Sequence, residues 1–200
     1  MPSKTSYKAG ETLNTSGLVI TKTYNDGTTA TATSGFTCSP TLLKTEGTQA
    51  ITVTLSGKTT QFNVSVAALT VTWDTVPNVT ISVNRTSSPN GGAATGAITS
   101  GKPIYVGDVL SITYTASTGY TITSKGKTSI TVSGNVTKSD IYANVTVNSY
   151  TATWSNGTGY TVTVNRTSSP KANANTGNLT SGATIYHGDV LNITYSANTG

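Results

Sequence analysis

One hexapeptide, Asn84-Arg-Thr-Ser-Ser-Pro89, occurs twice in this chain and limits how the rest of the chain can fold. Its second copy runs from Asn165 to Pro170, an offset of 81 residues. At that offset, residues 70–119 and 151–200 align without a gap and are identical at about 29 of 50 positions. A fixed period at this level of identity indicates tandem copies of one folding unit. The sequence therefore predicts a row of small modules.

The repeat divides the chain into three predicted modules: residues 1–67, residues 68–149 (repeat 1) and residues 150–200 (repeat 2). Gly200 corresponds to Gly119, so we expect repeat 2 to lack the C-terminal strands of repeat 1. The junction at Ala67-Ala-Leu69 contains no Pro or Gly, and we expect successive modules to abut with little freedom.

The composition predicts an all-β protein. Only 10% of the residues are charged, against about a quarter in a typical globular chain. Thr, Ser, Gly, Asn and Val dominate; Thr and Val favour pleated strands, while Gly and Asn favour turns. Such a composition is typical of extracellular and virion proteins.

Alternating apolar and polar residues predict the individual strands. In the first module, Asn25-Asp-Gly27 predicts the turn of a β-hairpin. The predicted strands of this module are Ser16–Tyr24, Thr28–Thr33, Ala50–Ser56 and a strand through Phe62 and Val66. Those of repeat 1 are Leu69–Trp73, Val79–Asn84, Val109–Ala116, Thr121–Thr123, Ser129–Val132 and Ile141–Val147.

Charge and motif content argue against several functions. The net charge is +5, but the twelve Lys and Arg residues form no basic stripe, so we expect no nucleic-acid partner. No apolar run approaches the 18 or so residues of a membrane span. The single Cys excludes an intrachain disulfide. With one His and seven dispersed carboxylates, we expect no catalytic site, no metal site and no cofactor.

The first module resembles the bacterial immunoglobulin-like domains of the group 3 type. The resemblance is carried in order by Tyr7-Lys-Ala-Gly-Glu11, Gly17-Leu-Val-Ile20, Tyr24-Asn-Asp-Gly-Thr28, Gly47-Thr-Gln and Val53-Thr-Leu-Ser-Gly-Lys58. It implies a small β-sandwich of about seven strands. Members of this family occur in bacterial surface proteins and on phage structural proteins, and they carry no catalytic residues.

The two repeats resemble the internalin B-repeat-like modules of surface proteins. The similarity consists of a strand, a Gly-rich stretch, Tyr105-Val-Gly-Asp108, a second strand and Thr118-Gly-Tyr-Thr-Ile122. It implies small β-grasp-like units that space and present other domains. The predicted fold class is therefore all-β, with an immunoglobulin-like β-sandwich followed by two β-grasp-like or β-sandwich repeats.

Candidate binding residues lie where the two repeats agree. The loops Thr86–Thr95 and Thr167–Thr176 are either ligand-binding tips or plain connections between strands. Arg85 and Arg166 precede them and are either exposed contacts or anchors of the loop through backbone hydrogen bonds. We favour anchoring.

Asp108 and Asp189 follow Gly in a turn, and we interpret them as turn caps rather than metal ligands, because no second carboxylate lies nearby.

Aromatic residues give a second set of candidates. Tyr105, Tyr120, Tyr160 and Tyr186 are predicted at strand ends, where they serve either binding or packing. The two tryptophans, Trp73 and Trp154, alternate in phase with apolar neighbours and are predicted to lie in the core. A sugar-stacking surface is the alternative.

These observations predict a non-enzymatic structural protein that forms an extended, exposed stalk or fibre. We expect it to form homo-oligomers or to attach to a larger assembly, and to contact a glycan or protein on a host surface. The Met1 start without a leader favours a phage virion protein, such as a head fibre, decoration protein or tail appendage, located on the virion surface. The family resemblances favour a bacterial cell-surface adhesin. A carbohydrate-binding module is a third alternative.

Overall fold

The computed structural model describes residues 1–198, and every regular element in that range is a β-strand. The prediction of an all-β fold is confirmed. The strands of the first module are β1 (Ser6–Lys8), β2 (Glu11–Thr12), β3 (Ile20–Thr23), β4 (Thr29–Ala32), β5 (Thr37–Ser39), β6 (Leu42–Leu43), β7 (Gly47–Leu55) and β8 (Lys58–Ala67).

Repeat 1 contributes β9 (Leu69–Thr70), β10 (Val79–Ser87), β11 (Gly96–Ile98), β12 (Pro103–Ile104), β13 (Val109–Ala116), β14 (Tyr120–Lys125), β15 (Ser129–Thr131) and β16 (Ala143–Val147). The strands that follow are β17 (Ser149–Ala152), β18 (Tyr160–Ser168), β19 (Gly177–Leu179), β20 (Ala183–Tyr186) and β21 (Val190–Ala197).

The first module is built on the long antiparallel pair β7–β8. This pair lies in the centre of a sheet ordered β1-β8-β7-β5, and two further pairs, β3–β4 and β2–β6, complete the module. The alternation seen in the sequence decides which side chains face inward, and it is confirmed. The buried core consists of Tyr7, Ala9, Leu18, Leu43, Ile51, Val53, Phe62, Val64 and Val66.

The predicted hairpin around Asn25-Asp-Gly27 is present. β3 and β4 pair in the register Ile20↔Ala32 to Thr23↔Thr29. The Asp26 carboxylate accepts hydrogen bonds from the N–H and the hydroxyl of Thr28, which closes the turn. The first strand is shorter than predicted, because the Leu18 N–H donates to the Thr15 carbonyl in a turn before β3 begins.

The repeats share one sheet topology. Repeat 1 has the order β11-β10-β13-β15, with β9–β12 and β14–β16 as separate pairs. The later strands form β19-β18-β21 and β17–β20, which is the same order for the equivalent strands. β13 has the predicted bounds, whereas β10 extends three residues beyond Asn84 to Ser87. Of the two- and three-residue strands, β9 and β15 lie within the predicted Leu69–Trp73 and Ser129–Val132. The others were not predicted, because they are too short to show alternation.

The chain packs into two compact units. The first consists of Met1–Asp74, Ser82–Thr113 and Gly126–Tyr142. The second consists of Thr75–Ile81, Tyr114–Lys125 and the chain from Ala143 onward. The first unit thus contains the whole first module together with most of repeat 1.

Within the first unit, a turn of repeat 1 docks onto the first module. The Val106 N–H donates to the Ala9 carbonyl at 2.9 Å, and Lys8 Nζ donates to the Ser133 carbonyl at 2.8 Å. Tyr105 packs against the core of the first module. Gly10 has φ +93°, and a Cβ added there would lie 2.7 Å from the Val106 nitrogen. This joint is therefore closely packed.

The second unit contains a joint of the same kind. His187 occupies the position that Val106 holds in repeat 1, and its N–H donates to the Asn148 carbonyl at 2.9 Å. The imidazole ring lies directly against Gly119, where an added Cβ would overlap it. The same turn of each repeat is therefore used to dock onto the chain that precedes it.

We predict that Gly10→Ala opens the joint between the first module and repeat 1, because the added Cβ clashes with the Val106 backbone. Hydrogen exchange at the Val106 amide should become faster. Gly27→Ala is the matched control, since Gly27 also has a positive φ, +82°, but has nothing within 4 Å of the added Cβ. Equal acceleration of the Val106 amide in both variants would contradict the assignment.

Candidate functional site

The residues that the two repeats share most clearly converge on a buried ion pair. In β10, alternate side chains face the same side of the sheet, so Arg85 points inward together with Val83. Asp108 lies in the turn between β12 and β13. Both side chains are buried, and the Asp108 carboxylate is fully enclosed.

Arg85 is held by a carboxylate and by two backbone carbonyls. Its Nε lies 2.9 Å from Asp108 Oδ2, close enough for an ion pair but without the alignment of a hydrogen bond. Nη2 donates to the Pro103 carbonyl at 2.6 Å and Nη1 to the Ala94 carbonyl at 3.5 Å. The guanidinium thus joins the loop after β10 to the start of β12.

The Asp108 carboxylate has three partners, one through an ion pair and two through hydrogen bonds. Besides the Arg85 guanidinium, the Tyr105 N–H donates to Oδ2 at 3.1 Å, which caps the turn. The Ser88 hydroxyl donates to Oδ1 at 2.6 Å. Because a buried charge is tolerated only when it is paired and hydrogen-bonded, the arrangement depends on all of these contacts.

Repeat 2 builds the same pair with one difference. Arg166 Nε lies 2.8 Å from Asp189 Oδ2, and its other nitrogens donate to the carbonyls of Asn175 and Thr184. The Tyr186 N–H caps the turn at 2.9 Å from Asp189 Oδ2.

In repeat 2, the Ser169 hydroxyl accepts a hydrogen bond from the Lys171 N–H at 3.2 Å. Among the described residues, Asp189 Oδ1 is buried without a hydrogen-bond partner.

The structure therefore places Arg85 and Arg166 as internal anchors of the loops rather than on the surface. Each loop is tied to its sheet through backbone carbonyls, which is the geometry of anchoring. The ion pair with Asp108 or Asp189 was not foreseen, because 23 positions separate the partners along the chain. A signal did exist, since both members and their spacing are identical in the two repeats.

The four candidate tyrosines lie in different environments. Tyr105 is half-buried, and its ring lies directly against Gly91. Tyr186 is half-buried beside the Arg166 guanidinium, 5.7 Å from the ring centroid. Tyr120 is half-buried at the start of β14.

Tyr160 differs from the other three because it is exposed. About two fifths of its surface is accessible, and its ring centroid lies 6.0 Å from that of Tyr195. Of the four, it has the largest surface available to a partner.

The prediction that both tryptophans lie in the core is wrong. Trp73 and Trp154 are half-buried and are not among the buried apolar residues. The reason is that β9 ends at Thr70 and β17 at Ala152, so the alternation does not continue to either tryptophan. Instead, their backbone N–H groups donate to Ser100 and Ser181 hydroxyls, each at 2.9 Å.

The open grooves in the described part of the chain include two of similar size. One, of about 340 Å³, lies in the first module between β3 and the ends of β7 and β8. The other, of about 380 Å³, lies in repeat 1 beside the loop after β10, with Arg85, Lys102 and Tyr105 in its wall.

Among residues 1–198 no group of three or more His, Cys, Asp or Glu side chains is placed to hold a metal. Burial raises the pKa of the Cys38 thiol.

One titratable turn lies in the segment that completes repeat 1. Lys127 Nζ donates to Asp140 Oδ1 at 2.7 Å, and the Thr137 N–H donates to Oδ2 at 3.0 Å. The hydrogen bond from Lys127, followed by that from Thr137, holds the pKa of Asp140 below its ordinary value. The charged form of Asp140 therefore stabilises this turn.

In the described part of the chain, no helix has the length and apolarity needed to cross a membrane.

Comparison with known proteins identifies the first module. Residues 1–66 match the family model described as the bacterial Ig-like domain (group 3). The resemblance inferred from the sequence is confirmed for these residues. No curated protein and no solved structure matches the chain. The resemblance of the repeats to internalin B-repeat-like modules stays a prediction. An Ig-like domain of this group fits a surface or structural protein.

We predict that Asp108→Ala lowers the free energy of unfolding by about 3–5 kcal/mol, because it leaves the Arg85 guanidinium buried without its partner. Calorimetric unfolding of the full chain would measure the loss. The double variant Arg85→Met/Asp108→Leu should lose less, since no charge stays buried. Lys138→Ala is the control, as it breaks an exposed ion pair with Asp74 and should cost about 1 kcal/mol or less. A loss for Asp108→Ala no larger than that of the control would contradict the prediction.

The lowered pKa of Asp140 predicts an acid-sensitive turn. A carboxyl whose pKa is depressed in the folded state contributes stability that is present above its ordinary pKa and is lost as the pH falls through the depressed value. Unfolding measured between neutral pH and pH ~2 should show this loss in the natural chain and a weaker one in Asp140→Asn. Lys138→Ala, in the same turn, leaves the Asp140 contacts in place and should retain it. Identical pH profiles for the natural chain and Asp140→Asn would refute the prediction.

Proposed function

We propose that this chain is a non-enzymatic structural protein that forms an exposed stalk or fibre on the surface of a phage virion. The second candidate is the stalk of a bacterial cell-surface adhesin. In both cases, the modules extend away from the surface that carries them, and their ends or side surfaces contact the partner. Ig-like domains occur on proteins of many functions, so we infer the role of this chain from how its modules are built and joined.

The observation that carries the proposal is the repeated joint. Val106 in repeat 1 and His187 in repeat 2 each donate a backbone hydrogen bond, at 2.9 Å, to the chain that precedes the repeat. Glycines at Gly10 and Gly119 allow the close approach. A connection made of packed backbone restricts bending far more than a flexible linker does. Modules that contact their neighbours in this way suit a load-bearing or spacing role.

The use of charge supports a non-enzymatic role. Each repeat has one buried ion pair, Arg85 with Asp108 in repeat 1 and Arg166 with Asp189 in repeat 2, and this pair holds the loop in place. Each carboxylate is buried and contacted by a guanidinium and a turn N–H, and is therefore poorly placed to exchange protons with a substrate. We propose no cofactor.

The partners we propose are further copies of the chain or a larger assembly, together with a glycan or protein on a host surface. Exposed tyrosines offer flat amphipathic contacts for such partners. Besides the candidate Tyr160, exposed tyrosines include Tyr24, Tyr142 and Tyr150. Each has roughly two fifths to one half of its surface accessible. A dedicated carbohydrate-binding module is less well supported, because Tyr105, Tyr120 and Tyr186 are half-buried.

The two locations can be distinguished by immunogold electron microscopy. Antibodies raised against the chain would be applied to purified phage particles and to intact cells from the source culture. We expect label at fixed positions on capsids or tails. Label confined to the cell envelope would replace the virion with the adhesin stalk. Label on neither, with the protein recovered as free monomers, would refute the structural proposal itself.

A further inference from the structure

The groove between β3 and the ends of β7 and β8 contains two lysines at positions that face inward. Ile20 on β3 packs against the core of the first module, and Lys22 lies on the same face of that strand. On β8, Phe62 and Val64 are buried, and Lys58 shares their face at the start of the strand. Both lysines line the groove. The apolar core therefore gives way to two positive charges at this end of the module.

Neither lysine has a partner of opposite charge. Within the described part of the chain, the side chains of Lys22 and Lys58 form no ion pair and no hydrogen bond. The lining of the groove includes no carboxylate. The carboxylate nearest to them in sequence, that of Asp26, accepts two hydrogen bonds from Thr28 in the hairpin turn. Two amines that face one groove repel each other, and an anion bound between them would offset that repulsion.

The remaining walls of the groove suit a sugar ring. Val53 and Leu55 contribute apolar surface, and Tyr24, which is 50% exposed, contributes an aromatic ring. An aromatic ring with an accessible face packs well against a flat, partly apolar partner. The groove is also lined by five hydroxyl side chains, those of Thr21, Thr23, Ser56, Thr59 and Thr60. Such hydroxyls can both donate and accept hydrogen bonds, as the hydroxyls of a sugar can.

The size of the groove limits the ligand. Its volume of about 340 Å³ is at the lower end of the range of small-molecule sites, roughly 300–1,000 Å³. The groove thus fits a small ligand or the terminal residue of a larger one. Its lining lies within residues 20–24 and 53–60, so the first module builds the whole groove by itself.

We infer that this groove binds a carboxylate-bearing sugar of the hexuronic acid class at the end of a glycan. The sugar ring packs against Tyr24, and its carboxylate is bound by Lys22 and Lys58. A neutral sugar would leave both amines without a counter-charge, and a small anion would leave the apolar wall uncovered. The inference rests on the proposed contact with a glycan on a host surface, and it specifies that this glycan is acidic.

The test uses the full chain and a matched set of probes. Methyl glucuronoside has both the ring and the carboxylate, methyl glucoside has the ring alone, and acetate has the carboxylate alone. NMR chemical shifts of the backbone amides of Lys22, Tyr24 and Lys58 would follow each titration. We expect methyl glucuronoside to bind at least about fivefold more tightly than either of the other probes, because it alone uses both parts of the groove. Added salt should weaken this binding, since it screens exposed charges.

The double variant Lys22→Gln/Lys58→Gln should bind methyl glucuronoside at least about tenfold more weakly, because it removes the charges and keeps long polar side chains. Its affinity for methyl glucoside should be unchanged. Lys44→Gln/Lys171→Gln is the matched control, since it removes the same charge at exposed positions outside the groove. This control should bind as the natural chain does.

Equal affinity for methyl glucuronoside and methyl glucoside would overturn the inference. So would equal affinity for acetate, because the groove would then be a general anion site. The absence of shifts at these amides up to about 50 mM methyl glucuronoside would also overturn it. Immunogold label at fixed positions on particles or cells, without methyl glucuronoside binding, would overturn this inference and leave the structural role intact. Label on neither, with methyl glucuronoside bound in the groove, would overturn the structural role instead.

Discussion

A buried guanidinium–carboxylate pair is the interaction on which each repeat depends. Arg85 with Asp108, and Arg166 with Asp189, fix a loop and a turn to the same sheet. Among the described residues, these four side chains carry charges removed from water, and the cost of removing them is offset by the ion pair together with its hydrogen bonds. The turn that carries the aspartate is also the turn that docks onto the preceding module. The ion pair therefore shapes the docking surface as well as the loop.

The joints explain how modules of modest size can act together. A domain of this size buries a small core, so contacts with a neighbour add materially to its stability. The first module supplies its own core around Ile51 and Val53, and Tyr105 from repeat 1 extends that core across the joint. Stability and geometry thus come from the same contacts. This coupling is the physical basis for proposing a structural role.

Repeat 2 shows the opposite situation. It has the ion pair and the docking turn, but its β21 presents apolar side chains to solvent. The comparison with β13 separates what a strand sequence specifies from what its neighbours provide. Identical residues are core in one copy and surface in the other.

The sequence by itself determined the all-β class, the repeat, the hairpin at Asp26 and the inward faces of β7, β8 and β13, because these follow from local alternation and turn chemistry. Only the tertiary structure decided the partner of Arg85, the half-buried position of Trp73 and the exposure of Ile193. Each of these depends on residues distant in the chain: Asp108 lies 23 positions from Arg85, and β13 pairs with the separate strand β15. Local patterns state which way a side chain points. What it meets there is set by long-range pairing, and that pairing carries no local signal.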